Sequence, residues 1–148
     1  LTVEMGVNMG QFPSAQHLAS WAGICPGNHE SAGKRLSGTP RKGSAWLRRS
    51  LCQAAWAASH AKESYLAARF RRLAARKGKK RAIVAVAHTI LISLYHMLKT
   101  KQPYRELGAD FLDRRHATQV KRYLLKRLEH LGVIVTIQSM ESSTVLPT

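Results

Sequence analysis

The chain has 148 residues, with 24 Lys and Arg against 8 Asp and Glu, giving a formal net charge of +16. Its 45% of hydrophobic and 7% of aromatic residues suffice for one core, fall short of two independent domains, and exclude global disorder. Such self-repulsion calls for a polyanionic partner, nucleic acid first and an anionic membrane surface well behind it.

The most apolar run, Ala82 to Leu98, is broken by His88, Ser93 and His96 and reads as falling short of a membrane span. Cys25 and Cys52 make neither a disulfide framework nor a zinc site, and each reads as a small core residue in a reducing compartment. No basic start followed by an apolar stretch marks a signal peptide. The chain begins at Leu1 in mid-pattern, as a piece of a longer protein would.

In chain order, Phe12-Pro13-Ser14 ends the first segment, and Ser14 is the expected N-cap of a helix from Ala15 to Ala22 that stops at Gly23. From Ile24 to Gly43 periodicity disappears in ICPGNHESAGKRLSGTPRKG, a loop or a short irregular hairpin. Structureless stretches of this length inside a compact domain are usually functional or disordered, which makes this one the most informative in the sequence. Ser44 opens a helix through Trp46, Leu47, Leu51, Ala54, Ala55 and Ala58. His60 to Ser64 is a break or a continuation, and Tyr65, Leu66, Phe70 and Leu73 carry a second stripe to a stop at Gly78. Lys79 to Lys101, apolar on nearly every side, is the expected central helix. Asp113 to Leu131 is amphipathic and ends at Gly132; Val133 to Ile137 is a short strand or an extended tail, and the last residues fray. The expected fold is mostly α: a compact bundle of about four to five helices with an irregular Ser/Gly/Lys-rich loop. The expected division is a helical remnant at 1–11, one domain at 12–138 and a tail at 139–148.

Charge is unevenly spread. No acid occurs between Ser31 and Lys62, where Lys34, Arg35, Arg41, Lys42, Arg48 and Arg49 accumulate, and a second acid-free block runs from Arg69 to Arg81. A solvated helix face is the plainer account, but neither block has the interleaved Glu that i,i+4 pairing would use. Backbone-phosphate contact fits better. Within the loop, Ser31-Ala32-Gly33-Lys34-Arg35 sets a hydroxyl beside small residues and two cations, which lets a phosphodiester approach the backbone. Ser31 could serve there as nucleophile, with Lys34 and Arg35 stabilising developing charge. On local pattern alone this is weak, and the GxxxxGK[ST] spacing of a P-loop is missing. Glu106, Asp110 and Asp113 read as a helix-start cluster offsetting Arg105, Arg114 and Arg115, and no metal site is expected. Trp21, Trp46 and Trp56 read as core, with Trp46, beside Arg48 and Arg49, the one considered for nucleic-acid contact.

Together Phe12, Ser14, Leu18, Ala19, Gly23 and Pro26, then Ser31, Gly33 and Lys34, then Lys42 and Gly43, and last Leu47, Arg48 and Leu51 resemble the C-terminal domain of the insertion-sequence-110 family of transposases. KKRAIVAVAHTILISLYHML and PYRELGADFLDRR resemble one branch of it, so the likeness runs from Phe12 to Ile137. The resemblance implies a recombinase that cleaves and rejoins DNA, in which Ser31 forms a phosphoserine link. It further implies double-stranded DNA as partner, a structured guide RNA in some members, and a homo-oligomer. Four metal-binding acids, holding a divalent ion such as Mg, would sit in an N-terminal RNase-H-like domain that this sequence lacks, so no cofactor is expected here and the chain alone is expected to be inactive. Its location would be cytoplasmic, on the nucleoid of a prokaryote. The local Glu-Ser-Ala-Gly-Lys departs mildly from the Ser-Ser-Gly-Gly-Lys of many members. The rival from another class is a non-catalytic nucleic-acid-binding or assembly module in which Ser31 only shapes the loop.

If six of the cations each neutralise a phosphate of duplex DNA, log K falls against log salt with a slope of ~−5. Neutralising Arg48 and Arg49 is expected to weaken binding similarly across DNA sequences and to flatten that slope, measured by salt-dependent titration; sequence-selective loss would contradict a phosphate role.

Overall fold

The structure, a computed structural model, describes residues 1–25, 29–37 and 42–135, with the backbone alone at His29, Glu30, Arg35, Leu36 and Ser37. Arg41, Pro26 and the tail at 139–148 lie outside the described residues. The fold is mostly α, as the periodicity predicts. Two compact units are present, Leu1–Leu112 and Asp113–Thr148.

In the first unit, α1 (Thr2–Met5) and a 3-10 turn (Met9–Gln11) precede α2 (Ala15–Trp21). A hairpin of β1 (His29–Ser31) and β2 (Lys34–Ser37) follows, then α3 (Ala45–His60), α4 (Tyr65–Lys77) and α5 (Lys79–Thr100). Three serines cap three helix starts. Ser14 Oγ accepts from His17 N, Ser44 Oγ from Leu47 N and Ser64 Oγ from Ala67 N, at 3.4, 3.2 and 3.2 Å, each satisfying an otherwise orphaned donor. The stretch after His60 is a break, with Glu63 at φ 54°. At Gly78, φ 81° ends α4 and the same residue starts α5, a conformation glycine adopts without steric cost.

Packing centres on α5, which lies against α2, α3, α4 and the 3-10 turn. Its Val86, Ala87, Leu91 and Tyr95 join Leu18, Ala19, Ala22, Leu47, Leu51 and Ala55 in one buried cluster. Each buried Leu contributes about 1.5–3 kcal/mol, and the alanines let helix backbones approach closely. Met5 and Met9 are buried in the same cluster, so the first residues pack on the core. Tyr95 carries the one hydroxyl in the cluster and satisfies it: its O–H donates to Phe12 O at 3.2 Å and accepts from Lys99 Nζ at 3.2 Å. By length and composition α5 is apolar enough to cross a membrane, with a mean hydropathy of 1.5 over its most apolar window. His88, Ser93 and His96 therefore do not disqualify it as the sequence reading held; in this structure its buried residues face three other helices.

Glu106 precedes the helix α6 (Phe111–Arg115), and its carboxylate accepts from Tyr65 N at 2.8 Å, Leu107 N at 3.1 Å and Gly108 N at 3.0 Å. It thus binds the start of α4. The Tyr65 amide first, with the other donors, holds its carboxyl below the usual range. Burial, reinforced by the neighbouring Glu106 charge, pushes the Tyr104 phenol up to about 12.

In the second unit, the predicted continuous helix from Asp113 is interrupted at His116 (φ −117°, ψ 29°), where α7 (Ala117–His130) begins. Gly132, at φ 75°, closes α7: Gly132 N donates to Glu129 O and Val133 N to Leu128 O. Residues 133–135 form no strand, and the remainder of the proposed Val133–Ile137 strand lies outside the described residues.

His88, half-buried on α5, has its imidazole held below the usual value of 6.5, by burial first and then by the Arg69 guanidinium. Folding therefore favours the neutral ring, and this stabilisation is complete above pH 6.5 and is lost as pH falls towards the lower folded value. The urea midpoint is expected to drop between pH 7.5 and 5, with a shallower drop in His88→Gln; equal slopes would contradict this role.

Candidate nucleic-acid interface

The chain leaves the core for the hairpin at Ile24 and returns to it at Gly43, at one point. α2 ends in a Schellman turn, Ile24 N donating to Ala19 O at 3.1 Å and Gly23 N to Ser20 O at 3.0 Å, with Gly23 at φ 67°. Ile24, just beyond, is 2% exposed and pins the departing chain to the core. The returning chain passes so close that a Cβ on Gly43 would lie 2.5 Å from the Ala22 carbonyl carbon and from Gly23 N. Only glycine fits. Next to it, Ser44 caps α3 and donates to Glu4 Oε2 at 3.4 Å, tying α1 to the same corner.

Of the two expected forms, a loop or a short irregular hairpin, the chain takes the hairpin, which is antiparallel, with Ser31 pairing with Lys34 and Glu30 with Arg35. Ala32 and Gly33 form its tip with φ 50° and 75°, the two positive values of a type I′ turn. Directly paired residues share a face of the ladder at close range, so the Ser31 and Lys34 side chains leave the same face of the hairpin. Both are exposed, as are Ala32 and Gly33. A Cβ on Gly33 would meet nothing within 4 Å; the glycine serves the turn conformation and leaves open space around the tip. Among the described residues no base is hydrogen-bonded to Ser31 Oγ.

The remaining predicted cations separate. Lys42 is exposed beside Gly43. On α3, Arg49 is exposed while Arg48 is half-buried near Cys52, whose thiol it pulls down against a larger upward push from burial. Cys25 and Cys52 are free and partly buried against the core. The Arg35 side chain and all of Arg41 fall outside the described residues. Among the described residues no group of three or more His, Cys, Asp or Glu could hold a metal ion.

The tryptophans correct the sequence reading. Trp21, Trp46 and Trp56 are 46%, 68% and 54% exposed, not core. α3 buries Leu47, Leu51 and Ala55, and at 3.6 residues per turn Trp46 and Trp56 fall on the opposite side. Arg49 lies over the Trp46 ring at 5.3 Å, and His60 meets Trp56 edge-on at 4.7 Å. Trp56 and His60 were missed as surface residues, although the spacing 46, 49, 53, 56, 60 is itself a helical stripe.

Two substitutions separate tip from root. Ala32→Gly removes the side chain that resists positive φ, and hairpin amides are expected to gain about 2–5-fold protection from hydrogen exchange, equivalent to ~0.5–1 kcal/mol. Gly43→Ala overpacks the root and is expected to cost about 1–3 kcal/mol in denaturant unfolding. Unchanged stability in Gly43→Ala would mean that the corner is not closely packed.

Residues 1–71 match the family model described as Transposase IS116/IS110/IS902 family. The match begins ahead of Phe12 and ends within α4, short of Ile137. No curated protein and no solved structure matches the chain. The matched stretch contains α1, α2, the hairpin, its root and α3. Over residues 1–71, just under half of its length, the chain is similar to transposases of the IS116/IS110/IS902 family.

Proposed function

We propose that the chain acts in DNA transposition as a DNA-binding domain that supplies the nucleophile, Ser31, for cutting and rejoining DNA. The observation that carries this reading is the exposed pairing of Ser31 with Lys34 across an open two-residue turn, inside the stretch that matches the transposase family. Ser31 Oγ attacks the phosphorus of a phosphodiester. The Oγ–P bond forms and the bond from phosphorus to one deoxyribose oxygen breaks. The serine proton goes to a base outside the described residues, and the departing sugar oxygen takes up a proton. The phosphoserine link preserves the ester, so attack by another sugar hydroxyl rejoins the DNA and restores Ser31.

The Lys34 ammonium, a compact charge beside the attacking oxygen, offsets the negative charge that builds on the phosphoryl oxygens. Lys42 and Arg49 meet the backbone on either side of Gly43, and Arg35 and Arg41 extend the same acid-free run. Arg48, half-buried, adds its field more than a direct contact. The donor set described does not fit a divalent metal; the carboxylates for one would come from another domain or protomer, and no step here is routed through it. A homo-oligomer, a structured guide RNA and a cytoplasmic, nucleoid-bound location in a prokaryote belong to the same proposal.

The test is covalent trapping with the domain or protomer that supplies the carboxylates present: the protein is incubated with DNA carrying the element ends and denatured, and protein–DNA adducts are separated. Ser31→Ala is expected to abolish the adduct while DNA affinity stays within about twofold, the hydroxyl being a small share of the phosphate-binding surface. An adduct that persists in Ser31→Ala removes the nucleophile assignment. A wild-type protein that binds DNA without forming an adduct supports the binding-module alternative.

A further inference from the structure

The outward face of α3 is the most unusual surface among the described residues. Trp46, Arg49, Gln53, Trp56 and His60 are all exposed, and at 3.6 residues per turn they fall within about 80° of arc. They form one stripe, opposite the buried Leu47, Leu51 and Ala55. Large aromatic rings at solvent forgo burial that would favour folding, and the core of this unit is complete without them. The rings are also held in place. The Arg49 guanidinium sits over Trp46 at 5.3 Å. His60 packs edge-on against Trp56 at 4.7 Å, with its Nδ1–H donating to Trp56 O at 2.8 Å.

We propose that this stripe is a stacking platform for the unpaired bases of single-stranded DNA, such as a strand opened next to the point of cleavage. The proposal rests on the DNA-binding reading above and adds to it which form of DNA this face takes and through which groups. At 1.5 Å per residue the two indoles stand ~15 Å apart along the helix, the rise of about four stacked nucleotides at 3.4 Å each. Bases within a duplex are stacked on one another and closed to a ring on a helix surface, whereas unpaired bases offer their faces to any aromatic. Gln53, between the rings, carries both a donor and an acceptor for base edges.

Charge selects this occupant over a protein. No acid lies between Ser31 and Lys62, so α3 itself carries Arg48 and Arg49 and no carboxylate, which matches a phosphate backbone. A second copy docking by the same face would bring Arg49 against its own equivalent, with +16 on each chain, a like-charge apposition that costs affinity. Position supports DNA at the reaction point: Trp46 lies within one helical turn of Gly43, where the Ser31 hairpin is rooted.

The experiment titrates the 148-residue chain with an oligothymidylate of about twelve nucleotides, within the usual size of single-strand sites, and in parallel with an oligouridylate and with a DNA duplex. Trp46→Ala and Trp56→Ala are each expected to weaken oligothymidylate binding by about 5–100-fold, as loss of one stacked base does. Trp46→Phe and Trp56→Phe retain most of it, and duplex affinity is unchanged in all four. Both residues face solvent, so circular dichroism should show an unaltered fold. Unchanged oligothymidylate binding in the alanine variants overturns the platform. So do equal losses on duplex and single strand, tighter Trp-dependent binding of oligouridylate, or conversion of a dimer to a monomer without loss of single-strand binding. Failure of the underlying reading looks different: neutralising Lys34, Lys42 and Arg49 would then leave duplex binding and its salt slope untouched.

Discussion

The contact of Gly43 with the Ala22–Gly23 peptide is the constraint on which the functional end of the first unit depends. A hairpin with strands of three and four residues has no stability of its own in water, and its tip touches little that could support it. Its geometry therefore comes from its root. The chain ahead of the hairpin is fixed by the Schellman turn and the burial of Ile24, and the chain after it by a backbone approach that excludes any side chain at 43. Bringing both ends to one peptide closes the intervening loop, and the entropy of closure grows only slowly with its length. The local structure of the tip is then set by the two positive φ angles at Ala32 and Gly33, which align Ser31 with Lys34.

The same corner explains how a chain with few carboxylates uses them. Glu4 accepts from Ser44 Oγ at the start of α3, and Glu106 gathers three amide donors including that of Tyr65 at the start of α4. Both serve the N-terminal ends of helices, where a negative charge is favoured by the helix dipole. These acids hold the scaffold and leave the run from Ser31 to Lys62 without any. Net charge alone suggests only a polyanionic partner; the division of labour among the acids shows where the positive field goes uncompensated by neighbours in sequence.

Much of the scaffold is legible in the sequence because it follows local rules. Ser14, Ser44 and Gly78 mark helix ends through side-chain capping and positive φ, and α5 is apolar on enough sides to be central. The hairpin is less legible, since His29-Glu30-Ser31 and Lys34-Arg35-Leu36 lack the apolar alternation that signals a strand; its pairing comes from the turn and the root. The helix break at His116 carries no Pro or Gly and has no sequence signal. The tryptophans mislead for a specific reason. Residue type says core, and Trp46 adjoins Leu47, but adjacent helical residues are 100° apart, so the neighbour of a buried Leu need not be buried. For the site, the Ser-Ala-Gly-Lys tip and the cations are visible in sequence, while the half-burial of Arg48 and the exposure of Arg49 are not, because both sit in one uninterrupted basic pair.

α3 joins these observations physically. One face, through Leu47, Leu51 and Ala55, is fixed by the core against α5, and the other, through Trp46, Arg49, Gln53, Trp56 and His60, is free of packing duties. A rigid helix presents its outward side chains at set intervals, so a ligand that engages two of them pays little ordering entropy on the protein side. The hairpin is the opposite kind of element, two short strands with an exposed two-residue tip. In the proposed reaction these properties suit different tasks. Holding a strand in register needs the rigid helix, whereas attack on phosphorus needs an exposed hydroxyl with room for a phosphodiester around it. Because Gly43 packs on the Ala22–Gly23 peptide and Ser44 caps α3, a strand held along α3 would be positioned relative to the point where the chain returns from the hairpin.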